Sequence, residues 1–516
     1  MKATATPVTT ESRALLSRRA SLNALAAMVD YGARITIQLL LAPLMLRFLG
    51  AGGFGAWQVL QRLVGHATPA GGRPGEALKW VVAHDQSSDD AERKRQQVGT
   101  AVRVWALFLP LVLGIGLVLA WISPELVHAT GDDVWVVRAA ASLLVLNVAL
   151  MGVAGLPQAV LQGENLGYRR LGLSTAILFV SAAIAAITLV AGWGLVGLAV
   201  AALVGTVLSG LTFVHIVRRQ VPWWGIARPA RGAIRSFVSL SWWFLLWNLV
   251  MQAMKGADYI VLGALAGTAV VATYSLTSLV PQAVSDAVFM VISATMPGLG
   301  GIVGAGDLER AARVRAETLV LCWLLAAAAG ATVIIWLPGF IDLWVGSRYD
   351  AGTVATVLIC AMVLQFGLIR VDSNVIDVTL RVRAKVLLGL ASAVLVVTLG
   401  VVLVGPLDLG IPGIVAALML GRAPLSVAYP MLIGRLLHLP RALTWGAVWR
   451  PGLATAALFA GAVWLRTYAG TPGWVPLVLL GNGTAALALV LAYAGGLSTV
   501  QRRRVRLRAL SVAGRS

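Results

Sequence analysis

Charge is scarce in this sequence. Only 12% of its 516 residues are Asp, Glu, Lys or Arg, and 59% are hydrophobic. Ordinary soluble chains carry roughly 25% charged and 45–50% apolar residues. The scarcity excludes a soluble globular fold and leaves a polytopic membrane protein, whose apolar surface is taken up by lipid. Alternating strands of about ten residues, the pattern of a membrane barrel, are missing, so the spans are helices. Cysteine is nearly absent. Cys322 and Cys360 fall in adjacent expected spans and differ in depth by roughly 10 Å, too far apart for a disulfide; both read as buried packing residues. The sequence has no paired Cys/His spacing for a metal, no Walker A loop and no nucleophile elbow. A cleavable signal peptide is not expected, because the first apolar segment is too long and is interrupted by charges.

Acids are scarcer than bases, 21 against 41, for a net charge of +20. Such a surplus suits nucleic acid in a soluble chain. Here the bases gather in alternate loops, "AERKRQQ", "GYRR", "RRQVPWWGIARPARGAIR", "RVRAK" and the C-terminal "QRRRVRLR". The surplus therefore reports the positive-inside rule rather than a nucleic-acid site. The intervening loops, "SPELVHATGDDV" and "FIDLWVGSRYDAG", are short and acidic. About fourteen spans of membrane length follow. The first six cover 22–48, 53–70, 100–122, 134–159, 171–191 and 194–217. The next six cover 237–262, 269–296, 316–338, 352–376, 386–404 and 410–434, and 448–466 and 474–497 complete the set. An even number places both basic termini on the cytoplasmic side. The expected organisation is a basic N-terminal tail (1–20), an N-lobe (21–219), a cytoplasmic linker (220–236), a C-lobe (237–437), a final helix pair (438–497) and a basic C-terminal tail (498–516).

Two halves of the chain resemble each other. "GLVGLAVAALVG" from Gly194 aligns with "GIPGIVAALMLG" from Gly410, glycine on glycine, at an offset of 216. "YRRLGLSTA" matches "RAKVLLGLASA", and "RFLGAGGFGAWQ" resembles "IVLGALAGTAVVATY", at nearly the same offset. Matches in one order at one offset predict two parallel copies of a six-helix unit, with two appended helices. That is a transporter architecture with the substrate path between the halves.

Ionisable residues inside spans cost about 2.5–3.5 kcal/mol each even on the mild insertion scale, so each needs a cavity or a partner. Arg422 lies near the middle of its span, with no acid within a turn and with Pro424 freeing a backbone carbonyl. Arg34 and Arg62 fall at similar depth in the other half. The three are candidates to line one cavity and meet an anion, since a guanidinium grips phosphate bidentately. Asp30 stands four residues before Arg34, on the same helix face. It is either that arginine's packing partner or a second cavity group and cation site. His66 and Lys255 are further cavity candidates, although Lys255 can snorkel to the outer surface. Asp286, a mid-span carboxylate, and Asp258 are candidates for proton or sodium coupling. Arg370 and Asp372, close to the inner surface, are candidates for a cytoplasmic gate.

"LGAGGFGAWQ" after the first span, "EALKWVVAHDQSSDDAERKRQQVGTA" before the third and "DYIVLGALAGTAVVATYSLTSLV" across the seventh and eighth resemble the multidrug/oligosaccharidyl-lipid/polysaccharide exporter superfamily. The likeness runs from Ser21 to about Arg435 and is greatest to its polysaccharide-biosynthesis branch, the O-antigen-type flippases. It implies two six-helix bundles around a V-shaped central cavity, alternating access, and export of a polyprenyl-pyrophosphate-linked oligosaccharide. The implied partners are membrane lipids, the lipid-linked glycan and other polysaccharide-assembly membrane proteins. No cofactor is implied beyond coupling to the membrane potential, H+ or Na+. "HATPAGGRPG" departs from the family pattern at the inner end of the second span. Fourteen spans match the lipid II flippases, but that branch's cavity arginines have no residue-by-residue counterpart here. Mid-span arginines argue against a cation-coupled multidrug antiporter, whose cavity would carry acids. Short outer loops argue against a glycosyltransferase or polymerase, so no enzyme activity is expected.

Overall fold

The computed structural model describes residues 10–72, 74–85, 88, 90–164, 166, 172–230, 232–379, 382–437, 445–471 and 473–503. Among these, only backbone is described for 10–27, 80, 84, 235–248, 253, 255, 294, 297, 382 and 445–448. The described chain is helical and contains no strand, as lipid requires of any segment that cannot offer its backbone groups to water. Fourteen α-helices follow in order. They are α1 (Thr10–Gly65), α2 (Pro74–His84), α3 (Ala91–Leu126), α4 (Asp133–Gly163), α5 (Leu173–Val190), α6 (Gly194–Gln220) and α7 (Ala233–Leu265). The rest are α8 (Thr268–Gly304), α9 (Leu308–Trp344), α10 (Gly352–Val378), α11 (Val382–Val404), α12 (Gly410–Leu436), α13 (Trp445–Arg466) and α14 (Trp474–Gly496). Eleven helices among the described residues are long and apolar enough to cross a membrane, the first covering both of the first two expected spans. The expected spans 237–262 and 448–466 fall on α7 and α13. Large apolar side chains such as Leu390, Val394, Leu479 and Val490 face outward, while Lys385, Asp372 and Arg422 are buried. That inverts the soluble pattern.

The α-helix of the second expected span, 53–70, ends at Gly65. α1 breaks at Gly50 (φ 67°, ψ −179°), which separates the first two expected spans. After Gly65 the chain makes a 3-10 turn at Thr68–Gly71, passes Gly72 at φ 64° and resumes as α2. The break has a covalent cause. Pro69 and Pro74 lack the N–H of an uninterrupted helix, and Pro74 sits at the first position of α2, where that loss is harmless. Leu78 and Val82 of α2 are fully buried in a core with Val98, Leu156, Val160 and Val217.

The chain forms two compact units, Met1–Gln252 and Ala253–Ser516. In the first, α3 packs on α4, and α4 and α5 pack on α6; in the second, α9 packs on α10, and α10 and α11 pack on α12. Local marks repeat with the packing. Asp90 caps α3 by accepting from the Arg93 amide at 2.9 Å, and Asp307 caps α9 from the Arg310 amide at 3.0 Å. Gly50 (φ 67°) and Gly267 (φ 88°) turn the chain with ψ near 180°. Gly194 (φ 54°) and Gly410 (φ 51°) each open a 27-residue helix. These pairs lie 216 or 217 residues apart, in agreement with the sequence offset. α13 and α14 pack on α9, where Trp323 Nε1 donates to Thr455 Oγ1 at 2.9 Å and Trp336 Nε1 to Thr484 Oγ1 at 3.0 Å. The cysteines are free and buried. Cys322 stands against Gly367 and Cys360 against Gly330, about two helical turns apart along the α9–α10 contact.

Candidate functional site

Arg422 is the centre of a buried polar cluster in the second unit. α12 is pressed on α11 at the preceding residue: a Cβ on Gly421 would lie 2.8 Å from the Val396 backbone, and Ser392 Oγ donates to the Gly421 carbonyl at 2.7 Å. Gly421 thus holds the helix against one neighbour, and Arg422, about 100° further round, reaches the others. Its Nη2 donates to the Met254 carbonyl on α7, and its guanidinium lies 4.9 Å from the Phe366 ring centre on α10. Arg422 is 5% exposed. Its buried Nε has no hydrogen-bond partner among the described residues. One turn past Met254, buried Asp258 accepts from Tyr274 Oη of α8 at 2.6 Å, and the Tyr259 and Tyr274 rings lie 5.2 Å apart. Asp258 and Tyr274 are within electrostatic reach of Arg422. Two residues 164 positions apart, each a separate candidate in the sequence, therefore share one site. Lys255 lies on α7 with its side chain outside the described residues.

In the first unit, Asp30 is buried and accepts from Ser174 Oγ at 2.9 and 3.2 Å and from Thr175 Oγ1 at 2.9 Å. The carboxylate is held by hydroxyls of α5 and not by Arg34, which is exposed and has no side-chain partner among the described residues. Arg62 is half-buried near the end of α1. His66 Nδ1 donates to the Arg62 carbonyl at 2.6 Å, because a carbonyl can only accept. Asp286 is half-buried on α8 and accepts from Gln282 Nε2 one turn earlier at 3.3 Å.

The basic ends of the helices hold further charge. Asp372 is buried and clasped bidentately by Arg315 of α9, Nε to Oδ1 at 2.7 Å and Nη2 to Oδ2 at 2.9 Å. Arg370 stacks 4.7 Å from the Phe289 ring and is within reach of Asp377 and Tyr429. Lys385, fully buried, pairs with Asp377 at 2.5 Å, and Tyr429 Oη donates to the Lys385 carbonyl at 3.2 Å. Arg315, Asp377 and Lys385 were not candidates in the sequence. In the first unit, the corresponding end joins Lys94, Glu164 and Trp223, whose Nε1 donates to Glu164 Oε1 at 2.9 Å while Lys94 lies 5.4 Å from its ring.

A family model described as "Polysaccharide biosynthesis protein" matches residues 22–302, more than half of the chain. The chain belongs to that family. No curated protein matches it. Among solved structures, this family member is similar to the lipid II flippase MurJ in an inward closed conformation, with a TM-score of 0.67, 11% identity and coverage of 91% of this chain and 97% of that one. It is also similar to an inward-facing multidrug resistance MATE family transporter of the MOP superfamily, with a TM-score of 0.65, 14% identity and coverage of 79% and 96%. A MOP superfamily transporter from Pyrococcus furiosus, whose title describes a binding pocket of reverse polarity, gives 0.55 at 15% identity over 81% and 96%. At such identities the likeness is one of fold.

Proposed function

We propose that this protein moves a polyprenyl-pyrophosphate-linked oligosaccharide outward across a bacterial cytoplasmic membrane by alternating access, with both termini cytoplasmic. The observation that carries the reading is the buried Arg422, in a chain of the polysaccharide-biosynthesis family. A guanidinium with an unfilled Nε, held beside a carboxylate and a phenol, is a ready partner for a cargo phosphate once Asp258 and Tyr274 give way. Arg34 and Arg62 supply cationic character in the first unit. The protein carries cargo and leaves its bonds intact, so the reading needs no catalytic residue. Lipids, the glycan carrier and neighbouring assembly proteins are its partners.

A second reading, coupling to H+ or Na+, is favoured by one observation: Asp30 gathers two hydroxyls, and a carboxylate with hydroxyl oxygens is the donor set of a small hard cation. An inside-negative potential drives an anion outward by about 2.3 kcal/mol per charge per 100 mV, so cation coupling adds to that force without being required. The test is to delete the gene in its host and quantify lipid-linked saccharide and surface glycan. Accumulated precursor with lost surface glycan supports the flippase; unchanged glycan with altered drug tolerance supports an antiporter of the same fold. Lost glycan without accumulated precursor points to an enzyme.

A further inference from the structure

Where α3 and α4 meet the segment "SPELVHATGDDV", an arginine lies between two tryptophans. The guanidinium of Arg138 on α4 is 3.9 Å from the Trp121 ring centre on α3. It is 5.4 Å from that of Trp135, one turn earlier on its own helix. All three stand close to the ends of the expected spans 100–122 and 134–159, near the boundary between hydrocarbon and headgroups. On the topology proposed above this is the outer leaflet, where the positive-inside rule leaves bases rare. Arg466, another base that the expected spans place on that side, is paired with Asp350 at 2.8 Å. Arg138 forms no hydrogen bond or ion pair among the described residues, although Glu125, Asp132 and Asp133 stand at the same helix ends. Its Nε is buried and unfilled.

Stacking occupies the faces of a guanidinium and leaves its N–H edge open, so the rings hold the group flat without satisfying it. In a lipid-facing stretch such an edge calls for an acceptor. Trp121 and Trp135 are 63% and 67% exposed, and Leu117 and Val118, one turn deeper on α3, are exposed apolar side chains. The arrangement therefore offers an anion-binding edge at headgroup depth above a surface for an acyl chain. Charge selects the occupant. A guanidinium fork matches a phosphate, and one guanidinium balances the single charge of a phospholipid phosphate. A lipid-linked pyrophosphate brings a second charge that nothing here balances. In a zwitterionic headgroup the lipid's own cation competes for the phosphate.

We infer that Arg138, Trp121 and Trp135 form a site for the phosphate of an anionic phospholipid, with its acyl chain along Leu117 and Val118.

The test uses the full-length protein in maltoside micelles, which contain no phosphate. The probe is phosphatidylglycerol with a diazirine near the carboxyl end of one acyl chain, and photolabelled peptides are mapped by mass spectrometry. The α3 peptide that holds Leu117 and Val118 should be labelled. Excess unlabelled phosphatidylglycerol should suppress that labelling, and diacylglycerol with the same chains should not. Arg138→Gln should lower it about tenfold, the loss of one charge-assisted hydrogen bond. Equal suppression by the diacylglycerol, read on the parent protein, would show a surface for acyl chains alone and overturn the site. Stronger suppression by a polyprenyl pyrophosphate would assign the site to a carrier lipid and overturn the phospholipid. Labelling unchanged in Arg138→Gln would overturn the role of the arginine.

Discussion

At the scale of single residues, the charges divide by how they are held. Arg422 is fixed by a backbone carbonyl, an aromatic ring and a neighbouring carboxylate, none of which fills its fork. Arg315 is filled twice by Asp372. The first arrangement leaves capacity for a ligand and the second does not. Arg422→Lys keeps the charge and loses the fork, and each charge-assisted hydrogen bond is worth about 1.5–3 kcal/mol. Complementation of the deletion strain should fall ten- to a hundredfold while the melting temperature of the purified protein changes by a few degrees at most. Full complementation by Lys would show that a point charge suffices. Asp372→Ala strands a buried guanidinium and should cost about 3–5 kcal/mol, visible as a large drop in melting temperature. Arg315→Leu with Asp372→Leu should recover most of that stability. If the pair is a gate, the double variant stays slow in transport although it is stable; if transport also returns, the pair only packs α9 on α10.

At the scale of elements, the same residues show what an apolar-window reading can and cannot find. Three of the expected spans stop beside a charge: 316 just after Arg315, 376 just before Asp377, 386 just after Lys385. The helices run on through all three, α9 from Leu308, α10 to Val378 and α11 from Val382. Hydropathy penalises a charge wherever it stands, whereas burial depends on a partner from another helix, which sequence spacing does not display. Glycine offsets are local, so the repeat was legible. The break after Gly65 was legible as Pro and Gly, but its continuation into α2 depends on a core formed with α3, α4 and α6. One element carries a further prediction. A Cβ on Gly99 of α3 would lie 1.8 Å from the Ala227 carbonyl oxygen, where the segment after α6 is strapped down by Arg95 Nε donating to the Trp223 carbonyl at 2.9 Å. Backbone cannot yield as a side-chain tip can, so Gly99→Ala should lift the strap at a cost of about 1–3 kcal/mol. Faster tryptic cleavage at Arg228 in membranes would report it; unchanged cleavage would show that the strap moves with α3.

At the scale of the whole molecule, duplication copied the scaffold and not the chemistry. Shifted back by the 216–217-residue repeat, Asp258, Tyr274 and Arg422 fall on Leu41, Trp57 and Thr206, and Asp30 shifted forward falls on Trp247. Neither of these two sites therefore has a twin in the other unit: Asp30 with the hydroxyls of α5 belongs to the first, Arg422 with its aromatic neighbours to the second. Sites of opposite charge suit opposite passengers, and transport should respond to two forces that mutation can separate. In proteoliposomes carrying a fluorescent lipid-linked oligosaccharide, an imposed potential should change the parent's rate through the cargo's own charge. A sodium or proton gradient should change it further through Asp30. Asp30→Asn cannot ionise but still accepts from Ser174 and Thr175, so it should abolish the gradient effect and keep the voltage effect. Arg422→Lys should lower the rate under both forces in equal proportion, because it weakens cargo binding and leaves the cation site alone. A voltage effect lost in Asp30→Asn would tie cation and cargo to one obligatory step, and a gradient effect that survives it would remove Asp30 from coupling and leave Asp286 as the carboxylate to test.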